Sequence, residues 1–298
     1  MAATRPRRNL VVLAPGQPGD AGLAATVSAL LARADRLPAP DAGLEGLVGD
    51  LFGSPAAPWP TAALCRQHDA GDAAGHHWLH ADPAHFRLEP AALRLLAVGE
   101  LGQDADETAD LVRALAPLFG DAGFELSAPL PRRWYLRPFR AGGGAEYPRL
   151  PAPEQALGAD LFELWPEDAA GRHWRALLGQ AQIALAAHPA NARRQAQGLP
   201  AINGLWFSGA GMLPGPPARA PARLDTEEPA LLGLAGLASA GAATTQELHD
   251  LRRRSDADRR LAALLSAVAD GDVASLDWRA PAGRWLWRPR HRWRFWRR

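Results

Sequence analysis

Apolar and polar positions along this chain follow first a strand-like and then a helical period. Asn9-Leu10-Val11-Val12-Leu13-Ala14 is a continuous apolar run closed by Pro15-Gly16, the pattern of a buried strand and its exit turn. Ala21 to Ala34 reads as the helix that follows. Residues 37–60 are rich in Pro, Gly and Ala with scattered Leu and Phe52, which predicts a loop carrying short helical turns. Trp78 to Leu88 alternates as an extended pair around Asp82-Pro83. Asp104, with Glu107 three residues on, is an N-cap opening a helix whose Leu111, Leu115 and Leu118 recur at helical spacing up to Gly120.

Phe124 to Leu126 and Trp134 to Leu136 read as antiparallel strands, with Gly142-Gly143-Gly144 a flexible loop. Trp174, Leu178, Ala181 and Leu185 make one helical face ending near His188-Pro189. Asn191 to Gln197 is a short helix stopped by Gly198, and Ile202 to Phe207 a buried strand. Glu227 to Ala238 and Asp256 to Ala269 suit helices, and Val273 to Trp278 with Arg284 to Arg288 a closing hairpin. The alternation predicts an α/β or α+β fold, a mixed β-sheet flanked by helices, with a small C-terminal helical and hairpin part. The expected division is an α/β core over 1–213, a proline-rich linker or loop over 214–224, and the C-terminal part over 225–298.

Composition narrows this picture only slightly. With 298 residues and 33 Lys+Arg against 32 Asp+Glu, there is no global field to draw in nucleic acid or membrane. Every basic residue is arginine, so Schiff-base chemistry through lysine is excluded. The lone Cys65 cannot make an internal disulfide. No segment is long enough to span a bilayer, and the chain reads as cytoplasmic.

The candidate chemistry gathers between residues 188 and 211. His188-Pro189-Ala190-Asn191-Ala192-Arg193-Arg194 precedes Gly198, Pro200 and Asn203, and the strand then runs into Ser208-Gly209-Ala210-Gly211. Glycines at 209 and 211 allow a turn whose N–H groups form a concave nest for a phosphate or carboxylate, with Arg194 supplying charge; the plainer alternative is an exit turn of a buried strand. Arg132, Arg133 and Arg137 around Trp134-Tyr135 offer further guanidinium forks, or are solvated surface. His188 and Asn191 either face a ligand or cap helix ends. Asn203, an amide in a buried strand, either pins the neighbouring loop or reads a ligand. The ligand-binding set is therefore Arg133, His188, Asn191, Arg194, Asn203, Ser208, Gly209 and Gly211.

The order His-Pro-x-Asn-x-x-Arg, Gly, Asn, Gly-x-Gly resembles cofactor-independent phosphoglycerate mutases of the archaeal type. Together with Asp82-Pro83-Ala84-His85, Arg133 to Leu136, Asp160 to Pro166 and Gln180 to Gly211, it is more similar to a bacterial group named for the RpfE-type regulatory protein and often labelled phosphoglycerate mutase. The likeness spans about the middle half of the chain. It implies a phosphoglycerate-mutase-like fold and a small phosphorylated or carboxylate ligand. The archaeal-type enzymes carry two metal ions in a cage of aspartates and histidines, with an aspartate just after the first strand. Here Leu13-Ala14-Pro15-Gly16-Gln17 offers none before Asp20, and downstream of Gly211 only His249 and His291 remain, without an Asp-x-x-x-His grouping. The resemblance therefore favours a non-catalytic regulatory relative without a cofactor; Mn²⁺ or another divalent metal belongs to the alternative reading, an active phosphomutase.

Two further clusters stand outside that motif. His68, His76, His77, His80 and His85, with Asp72 and Asp82, suggest a metal site only if helical; in an extended segment adjacent histidines point apart, so no metal ligands are assigned. From Arg284 to Arg298, Trp285, Trp287, Trp293, Phe295 and Trp296 interleave with seven arginines. This tail suits an anionic partner such as nucleic acid, membrane surface or acidic protein, or else covers a sheet edge.

Overall fold

The computed structural model describes residues 7–14, 21–39, 43–53, 58–140, 146–280 and 282–294. Two units divide the chain. One gathers residues 1–57 with 215–298, and the other holds 58–214. The expected 1–213 core is thus split, because its first strand pairs with the far end of the chain.

The discontinuous unit begins with β1 (Arg8–Leu13), α1 (Ala21–Arg33), β2 (Asp35–Leu37) and α2 (Leu44–Phe52). Where a loop carrying short helical turns was expected, the chain forms the nine-residue α2. The second unit contains α3 (Thr61–Ala70), β3 (His77–Glu89), β4 (Ala92–Val98), α4 (Ala105–Asp121), β5 (Phe124–Leu130) and β6 (Arg133–Pro138). It continues through the short α5 (Pro153–Ala156) and α6 (Leu161–Leu164) to α7 (Ala169–Ala186), α8 (Pro189–Ala196) and β7 (Gly204–Met212). The chain then supplies β8 (Arg223–Asp225), α9 (Pro229–Gly236), β9 (Gln246–Asp250), α10 (Ala257–Ala269), β10 (Val273–Ala280) and β11 (Gly283–Trp287).

There are two sheets, each flanked by helices, rather than one. In the discontinuous unit the order is β2-β11-β10-β1-β9-β8, with β10, β1, β9 and β8 parallel and the hairpin strand β11 running antiparallel between β10 and β2. Leu10, Val11, Val12 and Leu13 are all buried because β1 lies between β9 and β10 with apolar layers on both faces. One of those layers joins Leu10, Val12, Leu276 and Trp278 to Val27 of α1 and Leu261 and Leu264 of α10.

The sheet of the other unit is wholly antiparallel. On one side β3 pairs with β7; on the other it pairs first with β6, at Leu79 and His80, and then with β4 from Ala84. Pro83 falls between these two partners, where a strand residue without an N–H is tolerated, so Trp78 to Leu88 is one strand rather than two. Its apolar face packs Leu79, Trp134, Leu136 and Phe207 against Leu111, Leu115 and Phe119 of α4 and Trp174, Leu178, Ala181 and Leu185 of α7. No helix among the described residues is long and apolar enough to cross a membrane.

Candidate functional site

The 188–211 motif closes on itself. His188 is the N-cap of α8, its Nδ1 accepting from Ala190 N at 3.2 Å. Asn191 Nδ2 donates to Leu185 O and Ile202 O, and its Oδ1 accepts from Ile202 N at 2.9 Å, tying the end of α7 to the approach of β7. Arg194 is 1 % exposed. Its guanidinium donates to Pro200 O at 2.7 Å, to Glu107 Oε2 at 2.8 Å and to Leu101 O, so the charge is neutralised by a carboxylate from the first turn of α4. Asn203 precedes β7 and behaves as an extra rung of the ladder: Oδ1 accepts from Phe86 N at 2.7 Å and Nδ2 donates to Phe86 O at 2.8 Å. The amide pins strand β3 rather than the neighbouring loop that the sequence suggested.

The glycines have a different job from a nest. Gly209 (φ 65°) and Gly211 (φ 157°) lie inside β7, which continues to Met212 instead of turning. A Cβ at 209 would stand 2.0 Å from Thr61 Oγ1, and one at 211 would stand 2.5 Å from Pro60 Cβ. They let the start of α3 press directly on the strand. Ser208 beside them is buried and pairs in register with His80.

Beneath α3 lies the densest group of perturbed side chains in this unit. Arg133 forks onto Asp69 at 2.7 and 2.5 Å, and Tyr135 Oη donates to the same carboxylate at 2.6 Å. Burial raises the Asp69 carboxyl, but the Arg133 and Tyr135 bonds outweigh it and hold it below the usual range. His80 Nδ1 lies 3.4 Å from Asp82 Oδ2, while Asp82 Oδ1 accepts from Trp134 N at 2.9 Å. Burial alone would depress the His80 imidazole; Asp82 and the Cys65 sulfur, accepting from the imidazolium, overcome it and push the pKa up to about 10. Arg66 stacks over Trp78 at 4.5 Å and forks onto Asp72. Thiol, imidazole and carboxylate in sequence have the composition of a nucleophilic centre, but Cys65, His80 and Asp82 are all buried, which suits a fixed charge network fastening the helix to the sheet. Of the predicted set, Arg133, Ser208, Gly209 and Gly211 sit on this face. His188, Asn191, Arg194 and Asn203 form the separate clasp.

The other unit holds a charge cluster that sequence reading missed. In an open sheet with parallel strands, ligands bind beyond the carboxyl ends of those strands. There β8 delivers Asp225 and β9 delivers Asp250. Asp225 accepts from Arg254 at 3.2 Å and from Arg260 at 2.5 Å. Asp250 accepts from Thr226 Oγ1 at 2.9 Å and from Arg252 through Nε and Nη2 at 2.9 and 2.8 Å. Burial works against the Asp250 charge, but the Arg252 bonds hold its carboxyl low. Glu228 lies 4.0 Å from Arg252 and 3.8 Å from Arg253. A divalent cation needs carboxylates whose lone pairs are open to it, and these already face guanidinium groups, so a two-metal cage does not fit here. Among the described residues no three His, Cys, Asp or Glu side chains converge in a way that could hold a metal ion. The signal for this cluster is the run Arg252-Arg253-Arg254, separated from Asp250 by one residue.

The tail is divided in its roles. Trp285 and Trp287 belong to β11, Arg284 bonds Asp277 and Asp50, and Arg294 bonds Asp35 at 2.6 Å. Trp293 is 68 % exposed. Phe295 and Trp296, like Asp20 and the Gly142 to Gly144 loop, lie outside the described residues.

No family model and no curated protein matches the chain. Among the solved structures that resemble it are two archaeal proteins. One is the cofactor-independent phosphoglycerate mutase from Thermoplasma acidophilum DSM 1728, with a TM-score of 0.41 and 14% identity, covering 94% of this chain and 89% of that one. The other is the PH0037 protein from Pyrococcus horikoshii, with a TM-score of 0.48 and 12% identity, covering 95% and 88%. Neither likeness speaks to activity.

Proposed function

We propose that this chain is a phosphoglycerate-mutase-like protein that does not itself transfer phosphate and serves as a regulatory, ligand-sensing relative of the RpfE-type group. The observation that carries the reading is the pairing of Asp225 and Asp250 with Arg254, Arg260 and Arg252 at the carboxyl ends of β8 and β9. Metal-dependent phosphoryl transfer needs cations that polarise the phosphoryl oxygens and a nucleophile beside them. Guanidinium groups tethered to the chain satisfy the same carboxylates without an open coordination position. The Leu13-Ala14 ending of β1, without an acid, points the same way.

The test is a coupled assay for conversion of 3-phosphoglycerate to 2-phosphoglycerate, without bisphosphoglycerate, with Mn²⁺, Co²⁺ or Mg²⁺ supplied in turn. The expected result is no turnover above the metal-only blank. Turnover that depends on the added metal and disappears with a chelator would replace this reading with that of a cofactor-independent mutase.

A further inference from the structure

At the edge of the sheet opposite Asp225 and Asp250, three arginines meet. A concavity of ≈ 570 Å³ is lined by Arg7, Ala274, Arg288, Pro289 and Arg290. Strand register brings them together. Arg7 immediately precedes β1, whose first residue Arg8 pairs with Val273 at the start of β10. The hairpin returns β11 antiparallel, Trp287 opposite Leu276, so Arg288 to Arg290 emerge beside Ala274.

Two of these three charges are uncompensated among the described residues. The Arg7 and Arg290 side chains are exposed, with no ion-pair or hydrogen-bond partner among the described residues. Arg288 reaches only Asp35, at 3.9 Å, a carboxylate that Arg294 already holds at 2.6 Å. Glu247 nearby is taken by Arg8 at 2.6 Å. His291, buried in the 3₁₀ turn Pro289–Trp293, has its imidazole pKa lowered by burial and then by Arg294, Arg290 and Arg288, against the opposing pull of Asp35. Elsewhere in this unit arginines face carboxylates, as Arg252, Arg254, Arg260, Arg279 and Arg284 do. Like charges gathered in one concavity repel unless an anion lies between them.

We propose that this concavity binds a small phosphoryl-bearing molecule, clamped by Arg7, Arg288 and Arg290. Guanidinium forks match phosphate oxygens in pairs, and three of them suit a ligand with more than one negative charge. The volume lies within the ordinary range of small-molecule sites. Backbone order supports the clamp, since Arg288 and Arg290 flank Pro289 at the exit of a hydrogen-bonded hairpin and Arg7 leads directly into a central strand. The site is independent of whether the chain turns over phosphoglycerate.

Calorimetric titration of the full chain with inorganic pyrophosphate at low ionic strength tests this. Saturable binding at one site is expected, weakened at least about tenfold in Arg7→Ala and in Arg290→Ala and unchanged in Arg113→Ala, whose side chain lies on α4. Unchanged thermal melts of the variants separate loss of the clamp from loss of fold. Absence of saturable pyrophosphate binding by the wild-type chain overturns the proposal, as does binding that survives in the Arg7→Ala/Arg290→Ala double variant. Binding of single-stranded RNA or of phosphatidylserine vesicles without binding of pyrophosphate overturns it too, because the occupant would then be a polymer or a surface.

Discussion

Arg133 and Arg194 in the antiparallel unit and Arg7 and Arg290 in the other carry the same charge in opposite settings. The first pair is buried or nearly so, each guanidinium locked to a carboxylate, Asp69 or Glu107. The second pair is exposed and lines a concavity with Arg288, Ala274 and Pro289. A guanidinium spent on an internal carboxylate holds structure, whereas one left without a partner keeps its capacity to hold an anion. A sequence rich in arginine therefore says little about binding until partners are assigned.

Arg194 shows the buried setting most sharply. Arg194→Met is expected to destabilise the chain by about 3–5 kcal/mol, because Glu107 and two backbone carbonyls lose their donors in a buried setting. Denaturant midpoints measure it, and a cost near zero would place Arg194 among the unspent arginines. Buried charge in this unit should also show as pH dependence. His80 has its pKa raised to about 10, so its stabilising contribution is complete below the unfolded value of 6.5 and is lost as pH climbs through 10. A loss on the order of a few kcal/mol across that window is expected, flattened in His80→Gln; parallel pH profiles for the two proteins would show that the imidazole carries no charge in the fold. The smallest effect belongs to Arg290→Ala, expected within about 0.5 kcal/mol of wild type by the same denaturation measurement. A larger loss would mean that Arg290 is structural after all.

Local pattern was legible in the sequence where neighbours in the chain are also neighbours in space. Asp104 caps α4 by accepting from Glu107 N at 2.8 Å, and Trp174, Leu178, Ala181 and Leu185 are buried as their spacing predicts. The clasp residues His188, Asn191, Arg194 and Asn203 were picked out, but their partners Glu107, Leu101 and Phe86 lie far away in the chain and cannot be read from spacing. Strand β9 was missed because Gln246-Glu247-Leu248-His249-Asp250 contains one apolar residue. Its place beside β1 is set by a pairing, Asn9 with Gln246, that no local pattern announces. With β9 unseen, the strand-end acids and their arginines stayed hidden as well.

The position of β1 between β9 and β10 also has a temporal side. On a ribosome working at about 5–20 residues per second, the roughly 240 residues between Asn9 and Gln246 take on the order of ten to fifty seconds to appear. Through that interval Leu10 to Leu13 have no sheet to enter, while residues 58–214 already possess every strand of their own. The strands of residues 58–214 can thus pair with one another while Leu10 to Leu13 still wait for β9 and β10.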